Sequence, residues 1–304
     1  MLTNVVANYV LIFGKFGVPA MGIAGAAYGT VLGSVCGLAV VAAGYLARAN
    51  RTEFGIARAL RYDAAAMGKL LRFGYPAGVE FFLNLLAFNI LILSFHSRGI
   101  EAATAVTIVF NWDMVSFIPL IGVNIGVTSL VGRYMGAGSP DTAHRATMSG
   151  LRMAWLYACC TLVAFSCFPE ALVSVFRPAD NAAVFEQAYP MAVHMLRLAS
   201  LYVLADATIL VFSGALRGAG DTFWAMVISV GMHWALVAIQ LVMLKGFDVP
   251  VETAWLGLCL FIMAFSAIFY TRYRSGRWRL IRVVQPDEEP PPPATDGLHE
   301  TADL

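Results

Sequence analysis

Seven stretches of this 304-residue chain are long and apolar enough to cross a lipid bilayer as helices. They fall at roughly 20–47, 73–95, 103–132, 146–176, 190–216, 223–245 and 251–271. A spanning helix needs about 20 mostly apolar residues, because each backbone polar group in hydrocarbon must pair within its own segment. An eighth apolar piece, Met1 to Phe13, is shorter than a full span and reads as the second half of a helix. The composition agrees: 59% of residues are hydrophobic and 13% charged, whereas about a quarter of a soluble domain is charged. Twenty basic against nineteen acidic residues also exclude a basic nucleic-acid binder. The fold class is an all-α, polytopic transmembrane helix bundle.

The loops test this count independently. Arg152 and Arg197 fall inside spans. One set of alternate loops holds Arg48, Arg51, Arg58, Arg61, Lys69, Arg72, Arg133, Arg145, Arg217, Arg272, Arg274, Arg277, Arg279 and Arg282, and the other only Lys15, Arg98, Arg177 and Lys245. Cytoplasmic loops carry such an excess, so the arginine-rich side and the C-terminus are expected in the cytoplasm, with the chain in the inner (plasma) membrane. Residues 48–72 mix basic and apolar residues at helical spacing and read as an amphipathic surface connector. The last twenty residues, Gln285 to Leu304, carry five prolines and six acids and read as a disordered tail. The five cysteines (Cys36, Cys159, Cys160, Cys167, Cys259) lie in apolar runs and read as packing thiols.

Two features speak of assembly. Gly14-Lys15-Phe16-Gly17-Val18-Pro19 is similar to Lys245-Gly246-Phe247-Asp248-Val249-Pro250, and each joins two apolar helices at an outer loop. That relates the first helix pair to the last, as in transporters built from repeats around a cavity. Gly25, Gly29, Gly33 and Gly37 recur every four residues and form a face on which another helix can approach to backbone contact.

Acids and amides inside the spans carry the chemistry. A charged group at mid-membrane costs about 2.5–3.5 kcal/mol even on insertion scales, so each needs a reason to be there. Glu80, Asp113 and Asp206 are such acids; Asn84, Asn89, Asn111 and Asn124 are the amides, with Asn4 and Asn8 in the short first piece. Glu80 and Asn84 share a helical face, as do Asn4 and Asn8. The functional reading is a polar cavity holding cations or protons; the alternative, favoured for single asparagines, is interhelical hydrogen bonding. Desolvation favours a protonated carboxyl, so an acid in a wet cavity can exchange its proton for a cation.

The string Asp206-Ala-Thr-Ile-Leu-Val-Phe-Ser-Gly-Ala-Leu-Arg217-Gly218-Ala219-Gly220-Asp221-Thr222 resembles the end of the tenth helix in multidrug and toxic compound extrusion (MATE) transporters. Phe73-Gly74-Tyr75-Pro76-Ala77-Gly78-Val79-Glu80 resembles the opening of that family's seventh helix. Val131-Gly132-Arg133-Tyr134-Met135-Gly136-Ala137-Gly138 resembles the end of its eighth, and Asn8-Tyr9-Val10-Leu11-Ile12-Phe13-Gly14 the end of its fifth. The resemblance implies that residues 1–47 are the last part of a first lobe, 48–72 the connector and 73–284 a complete six-helix second lobe. It further implies that the family's first four helices, needed for a complete transporter, lie outside this chain. The implied activity is export of small cationic drugs or metabolites in antiport with H+ or Na+, with no cofactor and with membrane lipid around it.

Carried over residue by residue, the resemblance makes Asp206 the cation-binding acid. It sets Asn84 and Asn89 where relatives carry glutamates, so that Glu80 stands in for them, and Asn4 and Asn8 at the polar pair of the first lobe. Arg217, Gly218, Gly220 and Asp221 are then a structural turn rather than substrate contacts. Other readings compete. Gly218-Ala219-Gly220-Asp221 with Tyr62-Asp63 fits the motif pair of intramembrane aspartyl proteases, but both aspartates lie in loops. The five histidines lack ligand spacing, and no phosphate-cradling glycine loop points to an ATP-driven pump. A lipid-linked oligosaccharide flippase of the same superfamily, whose groove would be more cationic, and a non-transporting membrane scaffold both remain open.

Overall fold

The computed structural model describes residues 2–47, 62–178 and 182–281. The expected connector therefore lies largely outside the described residues, as does the acidic tail. Among the described residues every regular element is helical. The helices are α1 (Leu2–Phe13), α2 (Gly22–Tyr45), α3 (Ala64–His96), α4 (Ile100–Gly136), α5 (Pro140–Cys167), α6 (Pro169–Ser174), α7 (Ala183–Ala199), α8 (Val203–Gly218), α9 (Thr222–Leu241) and α10 (Val251–Arg274). A π-helical turn, Val242–Gly246, closes α9, and a 3-10 turn, Arg277–Leu280, follows α10.

Among the described residues six helices are long and apolar enough to span, and α7 with α8, bent by 50° between them, counts as a seventh if the pair forms one broken span. Two boundaries differ from expectation. Residues 64–72 are not a separate connector but the first turns of α3, which runs on through Pro76. The stretch expected at 146–176 stops at Cys167 and restarts as α6, because Pro169 lacks the amide N–H that would continue the ladder.

Contacts divide the chain into two compact units, Met1–Leu70 and Leu71–Leu304. In the first, α1 packs along α2 on the glycine row. A Cβ added at Gly25 would stand 2.5 Å from the Leu11 carbonyl oxygen, and one at Gly29 would stand 2.9 Å from the Asn8 backbone nitrogen. Gly33 faces Asn4 in the same way, whereas Gly37, expected to share this packing face, meets nothing. The row outruns its partner, since α1 is half the length of α2. Gly25→Ala is therefore expected to speed hydrogen exchange of the Leu2–Phe13 amides in the full chain, and Gly37→Ala to leave it unchanged.

The two similar loops share a bend. Gly17 (φ +82°) and Asp248 (φ +52°), which correspond in the two strings, are both left-handed. Asp248 also pairs with Arg98 at the α3–α4 turn.

In the second unit α8 sits at the centre, against α4, α5 and α10. Gly214 and Gly218 allow its approach to α4: a Cβ at Gly218 would lie 2.4 Å from the Thr128 carbonyl oxygen. Asn124 and Thr128 bond across the same seam, Asn124 Nδ2 to the Leu210 carbonyl at 2.5 Å and Thr128 Oγ1 to that of Gly214 at 3.0 Å. Only 22–33% of each single-helix span in this unit is buried, so most of its apolar surface faces outward, as lipid rather than water requires. Cys259 is buried among the helices, while Cys159, Cys160 and Cys167 face outward.

Candidate functional site

The second unit encloses a cavity of about 580 Å³. Its wall is mostly apolar and aromatic, with Phe88, Phe110, Phe117, Phe261 and Phe265 among the lining residues, and a few polar groups converge on it.

The first polar group arises from the break between α7 and α8. The chain turns at Ser200–Tyr202, and α8 starts at Val203 with Asp206 in its first turn, where the aligned amides favour negative charge. Asp206 N–H bonds back to the Tyr202 carbonyl at 2.9 Å. Tyr202 is buried and donates its hydroxyl to Asp113 Oδ1 of α4 at 3.0 Å. Asp113 and Asp206 are close enough for their charges to interact. Both line the cavity, and neither pairs with a cationic side chain among the described residues.

The second polar group joins α3, α8 and α9. Glu80 is buried and bonds to Arg217, whose side chain reaches the cavity wall from the last turn of α8. One turn along α3, Asn84 donates from Nδ2 to Ser229 Oγ at 2.8 Å. His233, four residues after Ser229 and so on the same face of α9, holds its Nδ1 2.7 Å from the Ser229 carbonyl oxygen. Phe265 meets that imidazole edge-on, with ring centres 5.5 Å apart.

The structure thus brings together Asp206, Asp113, Glu80 and Asn84 from the expected set. It leaves out Asn89, which is exposed and bonds to the Leu85 carbonyl of its own helix. At about 100° per residue, the five steps from Asn84 to Asn89 turn the side chain some 140° away, and Asn89 is not among the cavity-lining residues. Asn4 and Asn8 belong to the first unit, where Asn8 Nδ2 bonds to Asn4 Oδ1 at 3.2 Å.

Arg217 needs correcting as well. Expected as a turn residue only, it lines the cavity, because helical side chains lean toward the N-terminus and its long stem carries the guanidinium back up α8. Glu80, in turn, is not a free carboxylate. The remaining turn residues are structural. Gly220 is left-handed (φ +89°), and Asp221 is buried and forked on Arg272 of α10 at 2.9 and 3.0 Å. Sequence reading missed Tyr202, Ser229 and His233. A polar pair four apart inside the apolar 223–245 stretch was the signal available for the last two.

This architecture has relatives. Residues 76–239, more than half of the chain, match the MatE family model. The chain belongs to the MatE family of multidrug and toxic compound extrusion (MATE) transporters. It is 30% identical over 281 residues to the probable multidrug resistance protein NorM of Thermotoga maritima, covering 90% of this chain and 58% of that one. It is 28% identical to the multidrug resistance protein MdtK of Yersinia enterocolitica, covering 90% and 60%. Its fold matches that of a MATE transporter crystallised with MaL6 at a TM-score of 0.79, with 16% identity over 92% of this chain and 61% of that one. A superfamily transporter from Pyrococcus furiosus, described as having a binding pocket of reversed polarity that suggests a different function, matches at 0.78, with 16% identity over 91% and 61%. The chain therefore spans about 60% of the length of these relatives.

Proposed function

We propose that this chain supplies the second lobe of a secondary transporter that exports cationic drugs or metabolites in antiport with H+ or Na+. The observation that carries this reading is the charge balance of the cavity. Glu80 and Arg217 neutralise each other, which leaves the Asp113–Asp206 pair facing an aromatic enclosure. Two carboxyls in an apolar hollow repel each other and are relieved by a proton, a metal cation or an organic cation. Aromatic faces add attraction for the organic cation. Competition of cargo and coupling ion for one negative site lets each bias which way the cavity opens. The complete cycle belongs to a transporter of its relatives' full length, of which this chain spans about 60%. The arginine-rich loops support an inner-membrane location with a cytoplasmic C-terminus. A pyrophosphate-linked cargo would meet the same two carboxyls, which disfavours the flippase reading.

The test is competition binding on the purified chain in lipid nanodiscs, with tetraphenylphosphonium as probe. Its binding is expected to weaken either with Na+ at constant ionic strength or as pH falls, and whichever competes identifies the coupling ion. Binding indifferent to both ions, or preferred binding of a polyprenyl pyrophosphate, overturns the proposal.

A further inference from the structure

Two ion pairs hold the last turn of α8 and the turn after it, and they are built differently. Asp221 takes Arg272 in a fork, through Nε at 2.9 Å and Nη2 at 3.0 Å, and the arginine side chain is only 14% exposed. A planar guanidinium used in this way has spent its carboxylate-matching geometry. Arg217 is held at one point. Its Nη2 meets a single oxygen of Glu80, and its side chain makes no other hydrogen bond among the described residues. A guanidinium has five N–H donors, so most of them stay open. The Arg217 side chain is 29% exposed, and Arg217 and Glu80 both line the cavity, whereas Asp221 and Arg272 do not.

The rest of α8 sets this arginine against Asp206. The cavity-lining residues of the helix are Asp206, Ile209, Leu210, Ser213 and Arg217. Steps of three, one, three and four keep them on one face. That stripe begins with a carboxyl group in the first turn and ends with the guanidinium in the last. Between them it is apolar except for Ser213, whose hydroxyl is given to the Leu210 carbonyl. Eleven residues rise about 16 Å, and the arginine stem leans back toward the helix start, so the two charged groups face one hollow from its two ends. A molecule lying along α8 therefore meets a negative group, an apolar wall and a positive group in that order.

We propose that the open donors of Arg217 form an anion subsite, so that the cavity takes amphoteric cargo: aromatic molecules with a cationic group for the Asp113–Asp206 end and a carboxylate for Arg217. The inference rests on the proposed cation-binding reading and deepens it, because it names the cargo class. Glu80 tempers the subsite. It holds the guanidinium on the wall, and its own charge limits how tightly a second carboxylate is bound. Cations without an anionic group engage only the aspartate end.

The experiment compares two fluorescent probes on the purified full chain in nanodiscs. Rhodamine 110 carries a free carboxylate on its pendant ring, and rhodamine 123 is the same dye with that group as a methyl ester. The wild-type chain is expected to bind rhodamine 110 at least as tightly as the ester. Glu80→Gln combined with Arg217→Gln removes the pair together and leaves the net charge of the cavity unchanged. In this variant, checked for an unchanged melting temperature, the ratio of rhodamine 110 to rhodamine 123 affinity is expected to fall about tenfold, the usual effect of losing hydrogen bonds to a charged group. Glu80→Gln alone frees the guanidinium and is expected to raise that ratio. A wild-type chain that prefers the ester overturns the subsite, whether or not the variants fold. An unchanged ratio in the folded double variant overturns it too, since only the contact has been removed. A chain that binds tetraphenylphosphonium but not rhodamine 110 overturns the subsite and leaves the cation reading standing. One that binds neither overturns both.

Discussion

Asp206→Asn is expected to weaken tetraphenylphosphonium binding about 100-fold and to abolish its competition with the coupling ion. The substitution keeps the shape of the side chain and removes only charge. A unit charge about 4 Å from a cation contributes on the order of 4 kcal/mol at the effective dielectric of a protein site. Asp113 remains and offsets part of the loss, so the expected effect is smaller than that figure alone implies. Folding is not expected to suffer. Asp206 makes no side-chain hydrogen bond to the described residues, and its removal relieves repulsion from Asp113. Equilibrium dialysis of the variant, with its melting temperature alongside, checks both halves. Undiminished binding would take Asp206 out of the site.

Asp221→Ala is expected to have the largest effect on stability, a loss of about 3–5 kcal/mol, as when one partner of a buried ion pair is removed. Asp221 is 4% exposed and its fork on Arg272 ties the α8–α9 turn to α10. The guanidinium also lies over the Trp224 ring, 5.1 Å from its centre. Removing the carboxylate strands a positive charge in that packed corner. The paired change Asp221→Leu with Arg272→Met removes both charges together and is expected to recover most of the loss. Thermal melting in detergent reads the comparison, and a double variant as unstable as the single one would show that the pair is not the cause.

Reading the chain alone reached these two aspartates unequally. Asp206 stood out because an acid inside a span is costly and because the string after it resembles a family landmark. Asp221 stands in a structural turn by the same string, yet its partner Arg272, fifty-one residues on, is legible only as one basic loop residue among fourteen. The pairing of Glu80 with Arg217 shows the same gap. Loop statistics placed Arg217 outside the membrane, since they count where the Cα falls, whereas a five-bond stem decides where the charge sits. Asn89 lies outside the cavity lining, a difference in helical angle that its family position does not record. His233 lacks metal-ligand spacing in the sequence, and a histidine bonded to its own helix carries no other local signature.

The sequence by itself determined the helical class, which stretches are apolar enough to cross a bilayer, and the pattern of charged loops. Those follow from the solvent: in hydrocarbon every backbone group must close its own hydrogen bond, so the length and apolarity of each segment settle its form locally. Which carboxyls remain free to receive a cation was decided only in the tertiary structure. Neutralisation depends on which side chains meet across helices, and residues 137 apart in the chain, Glu80 and Arg217, meet through packing that no local rule records.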